Sequence, residues 1–345
     1  MIRPESFSLE HIEHLSSERK VDKVLLERSI YAFGLLEALA RVGLPFIFKG
    51  GTSLMLLLES PKRLSTDIDI VVPPGTEVVE YIEKASRILP FKDFRIQTRK
   101  YVNNMEKCHY RFLYDSPVNG REFHILLDIL YEENNYERLM EKAIDNEILI
   151  AEPPYVLVSV PTVDCILGDK LTAFAPHTTG IRFGEGKDLE IVKQMFDVSC
   201  LFDAMKDFED VLKTYYRTVS AEIAYRGIGI CAEDALVDTI DSAACIVGRG
   251  KVGTEYKLYA SVMNGLSNHI YDGKFSGEVA AVLACKVIYI AACVLKGCAP
   301  EKIVDPNQFI GEDIGNSRFG RLSYIRKYNA EAFGYLVKAS RILPI

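Results

Sequence analysis

Paired cysteines are missing from this sequence. Eight cysteines are present, but no two of them stand at the C-x-x-C spacing. A zinc centre or a disulfide framework needs such tight, paired spacing, so neither kind of site is expected. Buried free thiols in a reducing cytoplasm are the simpler interpretation.

Long apolar runs and an excess of positive charge are missing as well. The most apolar stretch, 279–295, carries Lys286 near its middle and is shorter than the ~20 residues that a bilayer span needs, so we expect a buried helix. The N-terminus lacks a secretory signal pattern, which favours a cytoplasmic protein that does not contact a membrane. The formal net charge of −7 excludes a uniformly basic nucleic-acid binder but leaves room for a local basic patch.

The 345 residues are enough for two domains, and the texture of the sequence changes along the chain. Strand and helix patterns alternate up to Pro153-Pro154, and helical periodicity dominates afterwards. We therefore predict an α+β fold, with a mixed sheet and flanking helices in 1–158 and a helical domain in 159–345. The predicted strands are 45–48, 68–72, 94–101, 107–114 and 123–130. The predicted helices of the second part are 163–175, 188–204, 207–223, 231–246, 254–268, 276–296 and 322–341.

A glycine pair, Gly50-Gly51, separates the first predicted strand from a helix that is expected to begin at Thr52. Glycines let the backbone approach a ligand closely, and the start of a helix attracts anions. Lys49 could add a positive charge and Ser53 a hydroxyl donor. The motif predicts a phosphate cradle, although an ordinary glycine turn before a helix has the same pattern.

Asp67 and Asp69 lie two positions apart at the start of the next predicted strand, and residues two apart on a strand project from the same face. Two such charges repel each other unless a cation neutralises them, and Mg²⁺ bound by carboxylates and substrate phosphates is the usual solution. A solvated strand face is the alternative. Asp128 is the one acidic residue in the apolar stretch 124–131 and needs a partner when buried, which makes it the candidate third carboxylate.

These residues carry a family resemblance. The Gly50-Gly51-Thr52-Ser53 motif, the run Arg63-x-Ser65-x-Asp67-x-Asp69 and Asp128 together resemble the polymerase-β-type nucleotidyltransferase superfamily. The Lys-Gly-Gly-Thr-Ser-Leu start, the segment 168–176 and the segment 193–197 more specifically resemble the AbiEii/AbiGii toxin family. Its members are the toxin halves of type IV toxin–antitoxin or abortive-infection pairs.

The resemblance implies a Mg²⁺-dependent transfer of a nucleoside monophosphate from a nucleoside triphosphate (NTP) to an acceptor hydroxyl. RNA, including tRNA, is the leading acceptor, and a cognate antitoxin is an implied partner. The metal ligands it implies are Asp67, Asp69 and Asp128. The residues it places around the nucleotide include Gly50, Gly51, Thr52, Ser53 and Ser65.

Further nucleotide contacts implied by the resemblance lie in less regular motifs. Lys170 corresponds to a lysine of the helical domain that contacts the triphosphate. Lys193 and Asp197 fall in the closing acidic motif, where this chain departs from the Arg-Asp-x-x-Asp pattern, so Asp188 could be the displaced functional acid. Arg63 could offset triphosphate charge or could equally form a structural pair.

The C-terminal run 318–341 is basic, with aromatic residues interleaved. Such a run can contact phosphates and stack on bases, or it can form an amphipathic helix that buries its aromatic residues.

Two other functions remain open. One is a nucleotidyltransferase that modifies a small molecule, and the other is a non-catalytic nucleotide-binding module.

Overall fold

The computed structural model describes residues 1–102 and 105–343, with side chains for 1–97 and 107–343. The chain forms two compact units, Met1–Thr162 with Asn268–Gly273, and Val163–Ser267 with Lys274–Ile345. The predicted domain boundary at 158/159 assigned the segment 268–273 to the C-terminal domain. The structure instead pairs this segment with the first unit, where Leu64 N donates to His269 O at 2.7 Å and Tyr271 N donates to Lys62 O at 3.0 Å.

The first unit is built on a five-stranded mixed sheet. Its strands are β1 (Ile47–Lys49), β2 (Ile68–Val72), β3 (Asp93–Val102), β4 (Met105–Asp115) and β5 (Glu122–Tyr131), arranged in the order β1-β2-β5-β4-β3. The β2–β5 pair is parallel and the other pairs are antiparallel. The strands β6 (Leu139–Ala143) and β7 (Leu157–Pro161) form a separate antiparallel pair.

Four helices accompany this sheet, namely α1 (Leu9–Arg19), α2 (Lys23–Arg41), α3 (Gly50–Leu57) and α4 (Val79–Ala85). Strand β5 explains how the core forms, because Ile125, Leu127 and Ile129 are buried while Leu126 and Asp128 between them are only half-buried. Alternation of this kind sends successive side chains to opposite faces of a sheet. One face of the sheet is therefore apolar core, and the other carries polar residues.

Within the described residues of the second unit, the regular secondary structure is helical, and loops join the helices. Its helices are α5 (Val163–Ala173), α6 (Asp188–Ala204), α7 (Phe208–Arg226), α8 (Ala232–Gly248), α9 (Tyr256–Ser267), α10 (Gly277–Lys296) and α11 (Ala330–Ile342). Helix α10 is the one helix among the described residues that is long and apolar enough to span a membrane, and 72% of its most apolar window is buried. The helix is thus buried as predicted. Its Lys286 Nζ lies 2.9 Å from Asp203 Oδ2 and 3.1 Å from Glu331 Oε1.

The single helix predicted over 322–341 is wrong. The chain forms a 3₁₀ helix at Gly320–Lys327 and then begins α11 at Ala330. Asn329 causes the interruption, because its side-chain oxygen accepts a hydrogen bond from Ala332 N at 2.8 Å and so caps the new helix. The basic run 318–341 contains five aromatic residues. Phe319, Phe333 and Tyr335 are buried, in line with the amphipathic alternative, whereas Tyr328 is 75% exposed.

His177 joins the segment after α5 to two other elements of the helical unit. Its Nδ1 lies 2.7 Å from Asp238 Oδ1 on α8, and its Nε2 lies 2.7 Å from Glu255 Oε2 next to α9. Burial lowers the pKa of His177, but the hydrogen bond and charge of Asp238, with those of Glu255, outweigh it and raise the pKa overall. The imidazolium form is therefore the one that this part of the fold stabilises.

Candidate active site

A row of polar residues crosses four neighbouring strands of the sheet. Strand pairing sets Lys49 opposite Asp69, Asp69 beside Asp128, and Asp128 opposite His109. Residues paired in this way project from the same face of a sheet. We call these four residues the polar row; all of them are half-buried.

Asp67 immediately precedes β2 and is held in place through both its backbone and its side chain. Thr52 Oγ1 donates to Asp67 O at 2.6 Å, which ties the strand to the first turn of α3. The carboxylate accepts from Thr66 Oγ1 at 3.3 Å and lies 3.4 Å from Arg28 Nη2. Asp67 and Asp69 therefore lie next to the start of α3, as their spacing from the glycine pair predicted.

The start of α3 needs the glycine pair because strand β2, which carries Asp69, approaches it closely. Gly50 has a φ of +78°, and a Cβ atom at this position would lie 2.7 Å from Asp69 Cγ and closer still to Oδ2. A Cβ atom at Gly51 would lie 2.6 Å from Arg63 Nη2 and 2.9 Å from Ser65 Oγ. A side chain at either position would force its neighbours to shift, so the glycines let the helix start directly against Asp69 and Arg63.

The hydroxyl groups of the glycine motif have structural partners. Ser53 is fully buried, and its Oγ donates to Gly50 O at 2.8 Å, while the hydroxyl of the equally buried Thr52 bonds to the Asp67 backbone. Helix α3 starts at Gly50 rather than at Thr52 as predicted. Phosphate contacts from this motif would thus come from backbone N–H groups at the helix start, and a direct role for the two hydroxyls stays a prediction.

Arg63 is 6% exposed, and its Nη1 donates to Leu64 O at 3.3 Å. Its backbone forms an isolated bridge with Ile270. The guanidinium group is therefore held beside Gly51 by its surroundings. Both roles considered for Arg63 from the sequence agree with this position, since it is structurally bonded and also lies at the glycine turn.

His109 was not among the residues predicted for the site. Its Nδ1 lies 2.6 Å from Asp128 Oδ1, and the two side chains are 28% and 31% exposed. This bond fixes one oxygen of Asp128 and supplies the partner that a half-buried carboxylate needs. The imidazole is thus a positioning group for Asp128.

The acids fit the chemistry of Mg²⁺, which prefers oxygen ligands. Asp69 and Asp128 stand at paired positions, and Asp67 lies two residues before Asp69. Within 1–102 and 105–343, no three His, Cys, Asp or Glu side chains are grouped closely enough to enclose an ion by themselves. Asp67, Asp69 and Asp128 are therefore not gathered around one point in this structure, and their predicted role as a joint Mg²⁺ site stays a prediction. Mg²⁺ is usually held by one or two carboxylates together with waters and substrate phosphates.

The predicted residues of the helical unit form a buried network between α5 and α6. Lys170 Nζ donates to Gln194 Oε1 at 2.7 Å and lies 3.1 Å from Asp197 Oδ2. Lys193 pairs instead with Glu190, at 2.8 Å. The structure therefore brings Lys170 and Asp197 together and assigns Lys193 to a different ion pair.

Asp188 occupies the first turn of α6, and its Oδ1 accepts from Gly184 N at 2.8 Å. This bond orders the loop that leads into the helix. A role of Asp188 as a displaced functional acid stays a prediction.

A basic strip continues the same sheet face beyond His109. Lys107 and Arg111 flank His109 at alternate positions of β4, and Arg95 of β3 stands directly opposite Arg111. The pKa of His124 is lowered by burial and then by the charges of Arg111, Arg28 and Arg95, so the potential here is positive. We call Lys107, Arg111 and Arg95 the basic strip.

Comparison with known proteins identifies the family. Residues 34–243 match the nucleotidyl transferase AbiEii toxin family of type IV toxin–antitoxin systems. The chain belongs to this family. The matched range contains the glycine pair, all three acids and the Lys170–Asp197 network, which agrees with the resemblance inferred from the motifs. This AbiEii chain is a nucleotidyltransferase, and its family implies a cognate antitoxin.

Two solved structures resemble this AbiEii chain. The protein JHP933 from Helicobacter pylori has 14% identity and a TM-score of 0.46, and the match covers 79% of this chain and 93% of that chain. A second H. pylori protein, described provisionally as a nucleotidyltransferase, has 14% identity and a TM-score of 0.48, with coverage of 79% and 96%. No curated protein matches the chain.

Proposed function

We propose that this AbiEii chain transfers a nucleoside monophosphate from an NTP to a hydroxyl group of an RNA, with Mg²⁺ held by Asp67, Asp69 and Asp128. The observation that carries the proposal is the polar row, in which Asp69 and Asp128 occupy paired positions of parallel strands. Asp69 also lies directly against Gly50, at the start of α3. The proposed phosphate site at the start of α3 therefore lies next to the acid pair.

In the proposed reaction the acceptor oxygen attacks the α-phosphorus and forms a new P–O bond. The bond between the α- and β-phosphates breaks, pyrophosphate leaves, and the proton of the acceptor hydroxyl passes to solvent. Bound Mg²⁺ would lower the pKa of that hydroxyl and offset charge on the pyrophosphate. The chain's own contribution is mostly positioning and charge neutralisation.

Each part of the site has a defined task in this reaction. The backbone N–H groups at the start of α3 would hold phosphate oxygens, and Lys49 adds positive charge at the end of the polar row. His109 keeps one oxygen of Asp128 engaged, so that the carboxylate retains a single orientation. Thr52 keeps the acidic strand fixed to the helix start.

The basic strip supports an RNA acceptor over a small neutral molecule. Like charges placed directly opposite each other across two strands are destabilising, yet Arg95 faces Arg111. Glu122 offsets part of this repulsion, at 3.0 Å from Arg95. A polyanion lying along β3 and β4 would offset the rest and would lead its end towards the polar row.

The transfer assay is an incubation of the full chain with total RNA and each α-³²P-labelled NTP. We expect label in the RNA fraction, and we expect Asp69→Asn and Asp128→Asn to abolish it while thermal unfolding stays cooperative. Asp115→Asn is the matched control, because Asp115 is in the same sheet, is 76% exposed and pairs with Lys92 instead. Label confined to the small-molecule fraction would refute the RNA acceptor, and binding without transfer would refute the reaction.

The acceptor surface has a separate test. Arg111→Gln and Arg95→Gln should weaken RNA binding and lower its dependence on salt concentration, since fewer phosphate contacts release fewer counterions. Lys84→Gln is the control, as this 63% exposed lysine of α4 pairs with Glu80 in the same unit. Equal salt dependence in all three variants would exclude the basic strip from RNA binding.

A further inference from the structure

The helical unit contains a pocket of about 320 Å³ that no part of the proposed reaction uses. It lies between the C-terminal end of α8, the start of α10 and the 3₁₀ helix Gly320–Lys327. The volume is at the lower end of the ~300–1,000 Å³ typical of ligand pockets. The residues that carry the argument are Arg249, Lys251, Glu278, Tyr324, Tyr328 and Asn329.

Two tyrosines give this pocket an aromatic wall. Tyr324 is fixed, because its hydroxyl donates to Val247 O at 2.7 Å and the Lys251 ammonium lies 3.7 Å from its ring centroid. Tyr328 meets the Tyr324 ring edge to face at 6.5 Å and stays 75% exposed. A planar ring from a ligand can therefore stack on Tyr328.

The charged lining of the pocket favours an anion. Arg249 and Lys251 carry two positive charges against the single negative charge of Glu278. One N–H of Arg249, on Nη2, donates to Gly277 O at 2.8 Å, which holds the guanidinium group in place. Arginine has five N–H donors in a planar fork that suits phosphate oxygens.

Arg249 also stands where a side chain is unfavourable. Its φ of +47° lies in the left-handed region, which glycine adopts most readily, and it ends α8 at the position where glycine is common. A residue held in such a conformation at a pocket is a reason to look for a function of its side chain.

A hydrogen-bond donor and an acceptor complete the lining. The side-chain oxygen of Asn329 caps α11, so its NH₂ group is the part that a ligand can meet. Glu278 supplies carboxylate oxygens. A donor and an acceptor in one pocket suit the mixed hydrogen-bonding edge of a nucleobase.

We propose that this pocket binds one nucleotide unit, with its base stacked on Tyr328 and its phosphate held by Arg249 and Lys251. The nucleotide comes either from a free mononucleotide or from a single-stranded RNA. The site is additional to the proposed transfer site, lies wholly in the helical unit, and is formed by residues beyond the matched range 34–243.

The chain offers a direct reporter for this site, because it contains no tryptophan. Tyr328→Trp places a single tryptophan at the pocket, and we expect saturable quenching of its emission by adenosine monophosphate or by a hexa-adenylate RNA. The quenching is measured in the presence of EDTA, which prevents any binding that depends on a divalent cation. Tyr216→Trp is the control, on a tyrosine of α7 that is 38% exposed, and it should show no saturable quenching.

Arg249→Gly in the Tyr328→Trp protein removes the guanidinium group while the left-handed backbone stays favourable. We expect the affinity for the quenching probe to fall roughly tenfold or more, as for a lost charge-assisted hydrogen bond. Lys20→Gly is the matched control, since Lys20 is also a basic residue with a left-handed φ, of +57°, at the end of a helix. Lys20→Gly in the Tyr328→Trp protein should leave the affinity for the quenching probe unchanged.

The outcomes separate the two sources and the two sites. Quenching by the mononucleotide assigns the pocket to free nucleotide, and quenching by the RNA alone assigns it to an RNA strand. The proposal is overturned by the absence of saturable quenching with both probes, or by an affinity that Arg249→Gly leaves unchanged. It is also overturned by a signal that Asp69→Asn abolishes, because that result places the nucleotide in the first unit. Loss of transfer in Asp69→Asn with quenching intact would support both proposals independently.

Discussion

Replacing Gly50 by alanine tests whether the glycine turn serves the acidic strand. The new Cβ atom would lie 2.7 Å from Asp69 Cγ and 2.8 Å from Asp69 Cβ, whereas ordinary contacts of this kind measure 3.4–4 Å. Either the start of α3 or the Asp69 carboxylate must then move. The substitution acts on the reaction through this displacement, because alanine removes no functional group.

The structure separates two effects of this change. A residue with a side chain at a left-handed φ costs roughly 1–2 kcal/mol of folding free energy, and that cost is independent of Asp69. Relief of the contact shifts Asp69 by about 1 Å, and a misplacement of that size can reduce a reaction rate about a hundredfold. We therefore expect a modest loss of stability and a large loss of transfer rate.

Gly43 provides the matched control. Its φ of +79° is nearly the same as the +78° of Gly50, but a Cβ atom at Gly43 would meet no atom within 4 Å. Gly43→Ala should therefore lose the same folding free energy in urea unfolding and keep its transfer rate in the α-³²P assay. Equal transfer rates in the two alanine variants would refute the argument that the glycine turn positions Asp69.

Three further predictions concern single side chains. His109→Ala removes the bond to Asp128 and should lower the transfer rate roughly tenfold to a hundredfold, with cooperative thermal unfolding retained; a rate within about twofold of the unaltered protein would exclude the positioning role. Lys170→Met breaks an ion pair whose side chains are 8% and 1% exposed, and urea unfolding should show a loss of about 3–5 kcal/mol. The raised pKa of His177 means that its stabilising contribution is fully present below its ordinary value of 6.5 and is lost as the pH rises through the folded-state pKa. The free energy of unfolding should thus fall as the pH rises above 6.5, and this fall should be smaller in His177→Gln.

The sequence predicted the parts of the site that depend on local patterns. Strand periodicity predicted that Asp67 and Asp69 project from one face, although Asp67 lies just before β2 rather than within it, and the glycine pair marked the start of a helix. Asp128 was selected because it is a lone acid in an apolar strand, and the structure places it beside Asp69. These inferences need only the two-residue period of a strand and the conformational freedom of glycine.

His109 was missed because its importance depends on the pairing between β4 and β5. A usable signal was present, since the segment 116–120, Ser-Pro-Val-Asn-Gly, is rich in turn-forming residues and separates the predicted strands 107–114 and 123–130. The structure pairs Asp115 with Glu122 across that turn, and counting back along both strands leads to His109 opposite Asp128. The register of a hairpin is set by its turn, so a count outwards from this segment would have pointed to the neighbourhood of His109.

Two errors in the helical region and at its boundary have physical causes. The periodicity of 322–341 suggested one helix, but an asparagine that caps a new helix outweighs periodicity, as Asn329 shows. The segment 268–273 pairs with the first unit through backbone hydrogen bonds. Side-chain patterns contain no information about such pairings.

The buried pair of Lys170 and Asp197 determines how the predicted contact of Lys170 with a triphosphate can be made. A phosphate that displaced Asp197 would leave a carboxylate of 1% exposure without this partner, at a cost of several kcal/mol. Lysine has three N–H donors; one bonds to Gln194, and Asp197 lies 3.1 Å from the ammonium group, so a phosphate contact would have to be made alongside both partners. If Lys170 contacts the triphosphate, the role of Asp197 is to orient the Lys170 ammonium group towards the phosphate.

Asp197→Asn tests this arrangement, because asparagine keeps the size and one acceptor oxygen but removes the charge. We expect the KM for the NTP to rise while kcat changes little, since the ammonium group would lose its orientation without leaving the site. Asp203→Asn is the matched control on the same helix, as Asp203 pairs with Lys286 at 2.9 Å, and it should leave the KM unchanged. A stability loss in Asp197→Asn with an unaltered KM would show that the pair is purely structural and that Lys170 does not contact the nucleotide.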